Sequence, residues 1–382
     1  MNILIAPDKF RGSLEAAEVC EAVEKGILMA CPSAHIIKTP LADGGEGTAA
    51  ILTKSQNGRF VEVTAEDPLG RSIRAVYGVS GNGKTAFIEM SAASGLQLLQ
   101  KEEQNPLFTS TYGTGEMIAH ALETGISTII LGIGGSATTD AGTGMARALG
   151  FRFMDEAGNE VITDGENLHK IKSIDDSRKH PLLEQCNVIV ACDVTNPLYG
   201  PNGAAYVYGP QKGAGEAGVL LLDEGLRSFA QVASAHFHVS LDNAPGAGAA
   251  GGVGAGAVWF LGAELHEGIR IVMEQLEIPP KIKQMDLVIT GEGKADEQTL
   301  SGKVVKGLAS LCKESGVPLA LLCGTLAITP QQAEEAGITY AASILNRPID
   351  LKTAQEEAAE RVSEAAYYLA KLMLWQSRSP SS

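Results

Sequence analysis

Five apolar runs of this chain end in glycines, carboxylates or both. Ile3-Leu4-Ile5-Ala6 leads into Pro7-Asp8, and Ile36-Ile37 leads through Lys38 to Ala42 into Asp43-Gly44-Gly45-Glu46-Gly47. Ile129-Ile130-Leu131 meets Gly132-Ile133-Gly134-Gly135-Ser136, Val188 to Cys192 meets Asp193, and Leu287-Val288-Ile289-Thr290 meets Gly291-Glu292-Gly293. Glycines let backbone N–H groups approach an anion, and acidic side chains bind a metal or accept a proton. This combination is that of phosphate and metal chemistry.

Such residues need elements to hold them. Short β-branched runs followed by helical patterns predict buried parallel strands. In open α/β sheets ligands lie beyond the carboxyl ends of the strands, where these glycines and acids fall. The first unit reads β-α-β, with Ser13 as the expected cap of a helix whose apolar face is Ala16, Val19, Cys20, Val23 and Ile27. The last unit reads as strands 287–290, 317–323 and 338–344 separated by helices. Thr329-Pro330-Gln331-Gln332 opens one helix and Gly337 closes it. Thr353 and Glu356 predict a capping box, and Ala358, Val362, Ala365, Leu369 and Leu372 form a stripe on the final helix. Residues 59–90 alternate as antiparallel strands do. The expected fold class is α/β, a doubly wound parallel-sheet domain with a second α/β domain formed by insertions. The core is expected in 1–58, 105–150 and 268–375, the second domain in 59–104 and 151–267, and a frayed tail in 376–382.

The chain has 382 residues, 45% of them hydrophobic and 20% charged, which suits two soluble globular domains. A net charge of −15 argues against a nucleic-acid surface, so local lysines and N–H groups must hold any anionic substrate. No signal peptide and no apolar run of membrane-spanning length is visible, and a cytoplasmic protein is expected. The six cysteines show no CxxC spacing and read as small core residues.

Two motifs tempt. Gly78-Val79-Ser80-Gly81-Asn82-Gly83-Lys84-Thr85 matches GxxxxGK[ST]. A phosphate-binding P-loop joins a buried strand to a helix, whereas strand-like runs flank this one and Asn82-Gly83 signals a type I′ hairpin. Gly132-Ile133-Gly134-Gly135-Ser136-Ala137 matches the dinucleotide pattern GxGxxA, with Asp155 in the place of a ribose-binding acid. Thr138-Thr139-Asp140 delays the helix that this pattern requires, so the loop reads as an anion site. A dinucleotide-dependent oxidoreductase and a non-catalytic binding protein for a small organic anion are two readings that stay open at this point.

Longer strings are more specific. They are Ala6-Pro7-Asp8-Lys9-Phe10, Pro40 to Thr48, Gly134-Gly135-Ser136-Ala137-Thr138, Ala191-Cys192-Asp193-Val194-Thr195-Asn196-Pro197-Leu198 continuing to Gly209-Pro210-Gln211-Lys212-Gly213, and Ile289 to Thr299 with Gly302-Lys303. In this order they resemble the bacterial glycerate kinase family unrelated to P-loop kinases, from Met1 to about Leu374. The resemblance implies a Rossmann-like domain with a second α/β domain. It also implies transfer of the ATP γ-phosphoryl group to D-glycerate, commonly at the 2-hydroxyl, with Mg²⁺. Thr139-Asp140-Ala141-Gly142 stands where Asn-Asp-Gly-Gly is more usual, and Lys294 where arginine is frequent.

Phosphoryl transfer asks for positioning and charge neutralisation. Asp193 is the leading general base, with Asp8, Lys9 and Lys303 as further catalytic candidates. Gly134, Gly135, Ser136, Asp43, Glu46, Lys212, Lys294 and Gln298 are the candidates for binding substrate and phosphate, and Glu292 and Asp296 for the metal. Asp155 and Asp164 read as turn residues. Tyr206 and Tyr208 alternate as on a strand and read as packing residues.

Overall fold

A computed structural model describes residues 1–42, 45, 47–297, 299–300 and 304–376. In chain order its strands are β1 (Asn2–Ile5), β2 (His35–Lys38), β3 (Arg59–Glu66), β4 (Ser72–Val79), β5 (Thr85–Glu89), β6 (Thr128–Gly132), β7 (Arg152–Met154), β8 (Ser173–Asp175), β9 (Asn187–Ala191), β10 (Glu264–His266), β11 (Leu287–Ala295), β12 (Leu319–Leu326) and β13 (Tyr340–Ser343). The chain divides into two compact units, Met1–Asp43 with Ile269–Ser382, and Gly44–Gly268.

The first unit carries a parallel sheet in the order β13-β12-β11-β1-β2. Ile3, Ile5, Leu287 and Ile289 point to one face and pack on Val19, Val23 and Ile27 of the helix Ala16–Ala30 and on Val362, Ala366 and Leu369 of the helix Ala358–Gln376. Leu4 and Val288 alternate with them and are as deeply buried, so both faces are covered, as expected of a doubly wound sheet. The two helices approach closely at Gly26, where a Cβ would lie 2.1 Å from the Ser363 carbonyl oxygen.

Local capping differs from expectation at two places. The helix Ala16–Ala30 starts at Glu15, whose N–H donates to Glu18 Oε2 at 2.8 Å; Ser13 Oγ instead donates to the Gln355 carbonyl. Thr353 is the third residue of Leu351–Glu356, and Asp350 caps that helix by accepting from the Thr353 N–H at 3.0 Å. The Thr329 cap and the Gly337 terminator hold, the glycine at φ 87°.

The second unit contains a mixed sheet in the order β10-β9-β6-β5-β4-β3, parallel from β10 to β5 and antiparallel at β5-β4-β3. Residues 44–58 and 105–150, expected in the core domain, cluster with this unit. The reason is that β6 pairs with β5 and β9, not with β1 or β11. The second unit is therefore one continuous insertion between residues 43 and 269. A separate hairpin-like pair, β7 with β8, covers a core of Phe153, Phe229, Trp259 and Phe260 in edge-to-face contact. Tyr206 and Tyr208 lie on the helix Ala204–Tyr208, not on a strand.

The motif at residues 78–85 covers the end of β4, the turn 80–84 and the first residue of β5, and is not a strand-to-helix P-loop. Gly83 takes φ 70° while Asn82 does not, so the turn is not the I′ form. Asn82 Oδ1 accepts from the Lys84 N–H at 3.0 Å instead, and Lys84 is exposed at the tip. Asp155 and Asp164 are turn residues as read, accepting from Ala157, Asn159 and Asn167 N–H groups.

Candidate active site

β6 and β9 are neighbours in the second sheet, so the segments leaving their carboxyl ends lie side by side. They line a cavity of about 390 Å³ with Gly134, Gly135, Ser136, Cys192, Asp193 and Lys212 among its walls. Five of the candidates from sequence, Asp193, Gly134, Gly135, Ser136 and Lys212, thus share one cavity although they span nearly 80 positions.

The loop after β6 is held from behind. The Leu96 N–H donates to the Gly135 carbonyl at 2.9 Å and the Ala137 N–H to the Ser94 carbonyl at 2.9 Å. Gly135 has φ 72°. Among the described residues no hydrogen bond uses the N–H groups of Gly134, Gly135 or Ser136, and the two glycines are exposed. All three residues line the cavity, and successive backbone N–H groups of this kind can make an anion-binding concavity. No helix starts at this loop; the next one, Thr143–Ala148, begins only after residues 138–142. The dinucleotide arrangement, with pyrophosphate on a helix N-terminus directly after the glycines, is absent.

Lys212 lies on a single 3-10 turn, Pro210–Lys212, and is 2% exposed. Its Nζ donates to Ser136 Oγ at 2.8 Å and to the Thr138 carbonyl at 2.6 Å. Burial drives its pKa down from 10.5 to about 7, and the charge of Asp140 opposes that fall. Asp140 is fully buried and accepts four bonds. They come from the Thr111 N–H and Oγ1 at 2.8 and 2.7 Å, and from the Gly142 and Gly144 N–H groups at 3.1 and 3.2 Å. Burial raises its carboxyl pKa, and these donors pull it back. Asp140 fastens the site loop to the start of the helix Tyr112–Glu123. Reading the sequence alone missed it; its only signal was its place within the Thr139 to Gly142 string.

The glycine-alanine segment serves the same loop. Ala250, Gly251 and Gly252 all adopt left-handed φ before the helical turns that run to Leu261. A Cβ on Gly251 would lie 2.0 Å from the Thr138 carbonyl oxygen, and the Ala141 N–H donates to the Gly251 carbonyl at 3.1 Å. Two backbones meet there with no room for a side chain. Ala141 sits at φ 52°, in the region that favours glycine.

Asp193 follows β9, is exposed to the cavity, and accepts from the Gly268 N–H at 2.8 Å through Oδ1. Asn196 anchors the same segment: Tyr208 Oη donates to its Oδ1 at 2.6 Å, and its Nδ2 donates to the Asn202 carbonyl at 2.9 Å. Tyr208 therefore lines the cavity as well as packing. Cys192 is half-buried in the wall; burial pushes its thiol up, with the Asp193 charge adding to the shift. The other five cysteines are buried and free, as read. Glu89, at the end of β5, is a further carboxylate that sequence reading did not single out. Its Oε1 accepts from the Gly47 and Ala49 N–H groups at 2.9 and 3.0 Å, which fixes the start of the helix Thr48–Ser55.

The remaining candidates gather in the first unit. Asp8, Lys9, Arg11, Glu292, Lys294 and Asp296 line a second cavity of about 390 Å³ at the carboxyl ends of β1 and β11. The Asp8 N–H donates to the Gly291 carbonyl at 2.9 Å, which extends the strand pairing and sets Asp8 beside Glu292. Gly291 to Ala295 belong to β11 itself, paired with β12 as far as Leu326, and are not a loop. Gly291 makes room for the Phe10 ring, 3.1 Å from where its Cβ would stand. Lys294 Nζ meets Asp296 Oδ2 at 2.9 Å and remains largely exposed. Among the described residues no group of three or more His, Cys, Asp and Glu side chains is arranged to hold a metal. One or two carboxylates beside a polyphosphate suit Mg²⁺, which keeps waters and takes phosphate oxygens as ligands; Glu292 and Asp296 fit that mode. Asp43, Glu46, Gln298 and Lys303 lie outside the described residues. No helix among the described residues is long and apolar enough to cross a membrane.

The chain matches the sequence model described as "Glycerate kinase family" over residues 3–374. It is 45% identical over 370 residues to the "Glycerate 2-kinase" of Escherichia coli strain K12, covering 97% of each chain. It is 43% identical to the "Glycerate kinase" of Halalkalibacterium halodurans, covering 98% of each. Among solved structures it resembles that of a putative glycerate kinase 2 from Salmonella typhimurium LT2, with a TM-score of 0.91, 42% identity, and coverage of 99% of this chain and 100% of that one. With a family match across nearly the whole sequence and close relatives spanning their full lengths, this chain belongs to the glycerate kinase family.

Proposed function

We propose that this enzyme transfers the γ-phosphoryl group of ATP to the 2-hydroxyl of D-glycerate, releasing ADP and 2-phosphoglycerate. The observation that carries the reading is the row of uncommitted N–H groups at Gly134, Gly135 and Ser136, with Lys212 beneath them and Asp193 in the same cavity. These N–H groups, aligned from behind by the Lys212 bonds to Ser136 and Thr138, receive the anionic oxygens of glycerate and of the phosphoryl group that it accepts, where dipoles fixed in advance act most strongly. Asp193 takes the hydroxyl proton as the oxygen attacks phosphorus. In the first unit Lys9 and Lys294 face the nucleotide phosphates, with Asp8, Glu292 and Asp296 as the carboxylates beside them. Bound Mg²⁺ would be held by Glu292 and Asp296 and would neutralise phosphate charge in a protein whose net charge is −15. The 2-hydroxyl is favoured by the name of the Escherichia coli relative.

The test is the purified protein with D-glycerate and Mg·ATP, read by phosphorus NMR. A 2-phosphoglycerate signal with equimolar ADP is expected, and EDTA should abolish it. A 3-phosphoglycerate signal overturns the choice of hydroxyl. Glycerate binding without ADP release overturns catalysis.

A further inference from the structure

The strand β5 ends at Glu89, and the segment it leads into fastens one wall of the cavity beyond β6 and β9: the Ser94 carbonyl and the Leu96 N–H hold the glycine loop. Glu89 itself fastens another. In the β5-β6 register it stands beside Gly132, where a Cβ would lie 3.7 Å from Glu89 Cγ. Its Oε1 accepts from both the Gly47 and the Ala49 N–H groups, 42 and 40 positions away along the chain. The helix Thr48–Ser55 needs this acceptor, because its N-cap is Gly47, at φ 91° and without a side chain of its own. A carboxylate suits the place, since its charge faces the positive end of the helix dipole. Thr48 carries the fastening onward: its N–H and Oγ1 both donate to the Gly45 carbonyl, at 3.2 and 2.7 Å. Gly45 lines the cavity with Gly134, Gly135, Ser136, Asp193 and Lys212, whereas Glu89, among the described residues, is not part of that lining.

We infer that Glu89 is a positioning residue for the hydroxy-acid substrate, setting the Gly45 wall of the cavity through Gly47, Ala49 and Thr48. The inference rests on the reading of this cavity as the glycerate site. One strand end thereby fixes two walls, Gly45 through the Glu89 side chain and the glycine loop through residues 94–96. A three-carbon acid makes few contacts, so its alignment with the attacked phosphorus depends on how firmly those walls are spaced. A displacement of about 1 Å costs up to about 10²-fold in rate. A cap serving only the helix would change stability without separating one substrate from the other.

Steady-state kinetics of Glu89→Ala, Glu89→Gln and Thr48→Val test this, with amide hydrogen exchange of the peptide carrying Gly47 and Ala49 measured on the same proteins. Glu89→Ala removes both bonds. Its kcat/KM for D-glycerate should fall at least about ten-fold, its KM for ATP should stay within about two-fold, and exchange in that peptide should speed up. Glu89→Gln keeps an amide oxygen for the two N–H groups, and should stay within about three-fold of wild type with exchange still protected. Thr48→Val leaves Glu89 in place and cuts only the hydroxyl bond to Gly45, so it tests the same wall even where Glu89→Ala does not fold. It too should lower kcat/KM for D-glycerate and leave KM for ATP unchanged. A folded Glu89→Ala or Thr48→Val with wild-type kinetics overturns the inference. So does a Glu89→Gln as impaired as Glu89→Ala, which would give the carboxylate a role through its charge. A wild type that does not phosphorylate D-glycerate overturns the functional reading instead, and exchange in Glu89→Ala and Glu89→Gln then still decides whether Glu89 holds the wall.

Discussion

Replacing Lys212 with methionine should flatten the dependence of stability on pH. The Lys212 ammonium is fully enclosed, and burial lowers its pKa from 10.5 to about 7. Below pH 7 folded and unfolded chains both carry the proton, and the folded state bears the whole cost of enclosing the charge. Between pH 7 and 10.5 the unfolded chain keeps a proton that the folded chain has shed, so stability rises with pH, by up to about 1.4 kcal/mol per unit. Integrated from pH 6.5 to 8.5, this one group contributes about 2 kcal/mol of added stability. Methionine keeps most of the volume and carries no proton, so the Lys212→Met protein should lack that increment, while the pH dependence of all other groups cancels in the comparison. Urea unfolding at the two pH values provides the measurement, followed by the emission of Trp259, which is buried in the same unit and donates to the Val239 carbonyl at 3.0 Å. The difference in unfolding free energy between wild type and variant should change by about 2 kcal/mol between the two pH values. If it is the same at both, Lys212 is not the enclosed, pH-sensitive cation described above. The variant should also lose turnover by roughly 10²-fold, because the Ser136 hydroxyl and Thr138 carbonyl lose their tether and the loop N–H groups their alignment.

Asp193→Asn should fold normally, since the amide oxygen still accepts from the Gly268 N–H, and should lose turnover by roughly 10²–10⁴-fold with little change in substrate KM; near-normal turnover would move the base assignment to another carboxylate. Lys84→Ala should leave kcat/KM within a few-fold, because Lys84 stands on the tip of the β4-β5 turn; a loss of about 10²-fold in a folded variant would restore a phosphate role for that motif. Gly251→Ala should lower stability by at least about 2 kcal/mol in chemical denaturation, because its Cβ would overlap the Thr138 carbonyl at a φ of 73°; an unchanged midpoint would show that the two backbones separate at no cost.

Most of the parallel strands, several of the helices between them and the glycine and carboxylate strings were legible in the sequence; β10 was not read, and β5 was read only as an antiparallel strand although it also pairs parallel with β6. Each is a local signal: apolar runs of strand length, a Thr329 cap with proline after it, a Gly83 that a turn can use. The chemistry of the strings was legible too, because few residue types bring both backbone donors and carboxylates to one place. Which strings belong together was not. Asp193, Gly134 and Lys212 share a cavity because β6 pairs with β9 and a short turn returns Lys212 beneath the loop, and pairing partners are set by long-range contacts that no local pattern encodes. The same reason moved residues 105–150 into the second unit. Capping was misjudged at Ser13 and Thr353, where neighbouring carboxylates, Glu18 and Asp350, reached the free N–H groups. Leu372 fits the apolar period of the last helix as well as Leu369 does, yet only Leu369 is buried. Periodicity fixes which side chains share a face; which face meets the core, and which is left in water, is decided only when the whole chain packs.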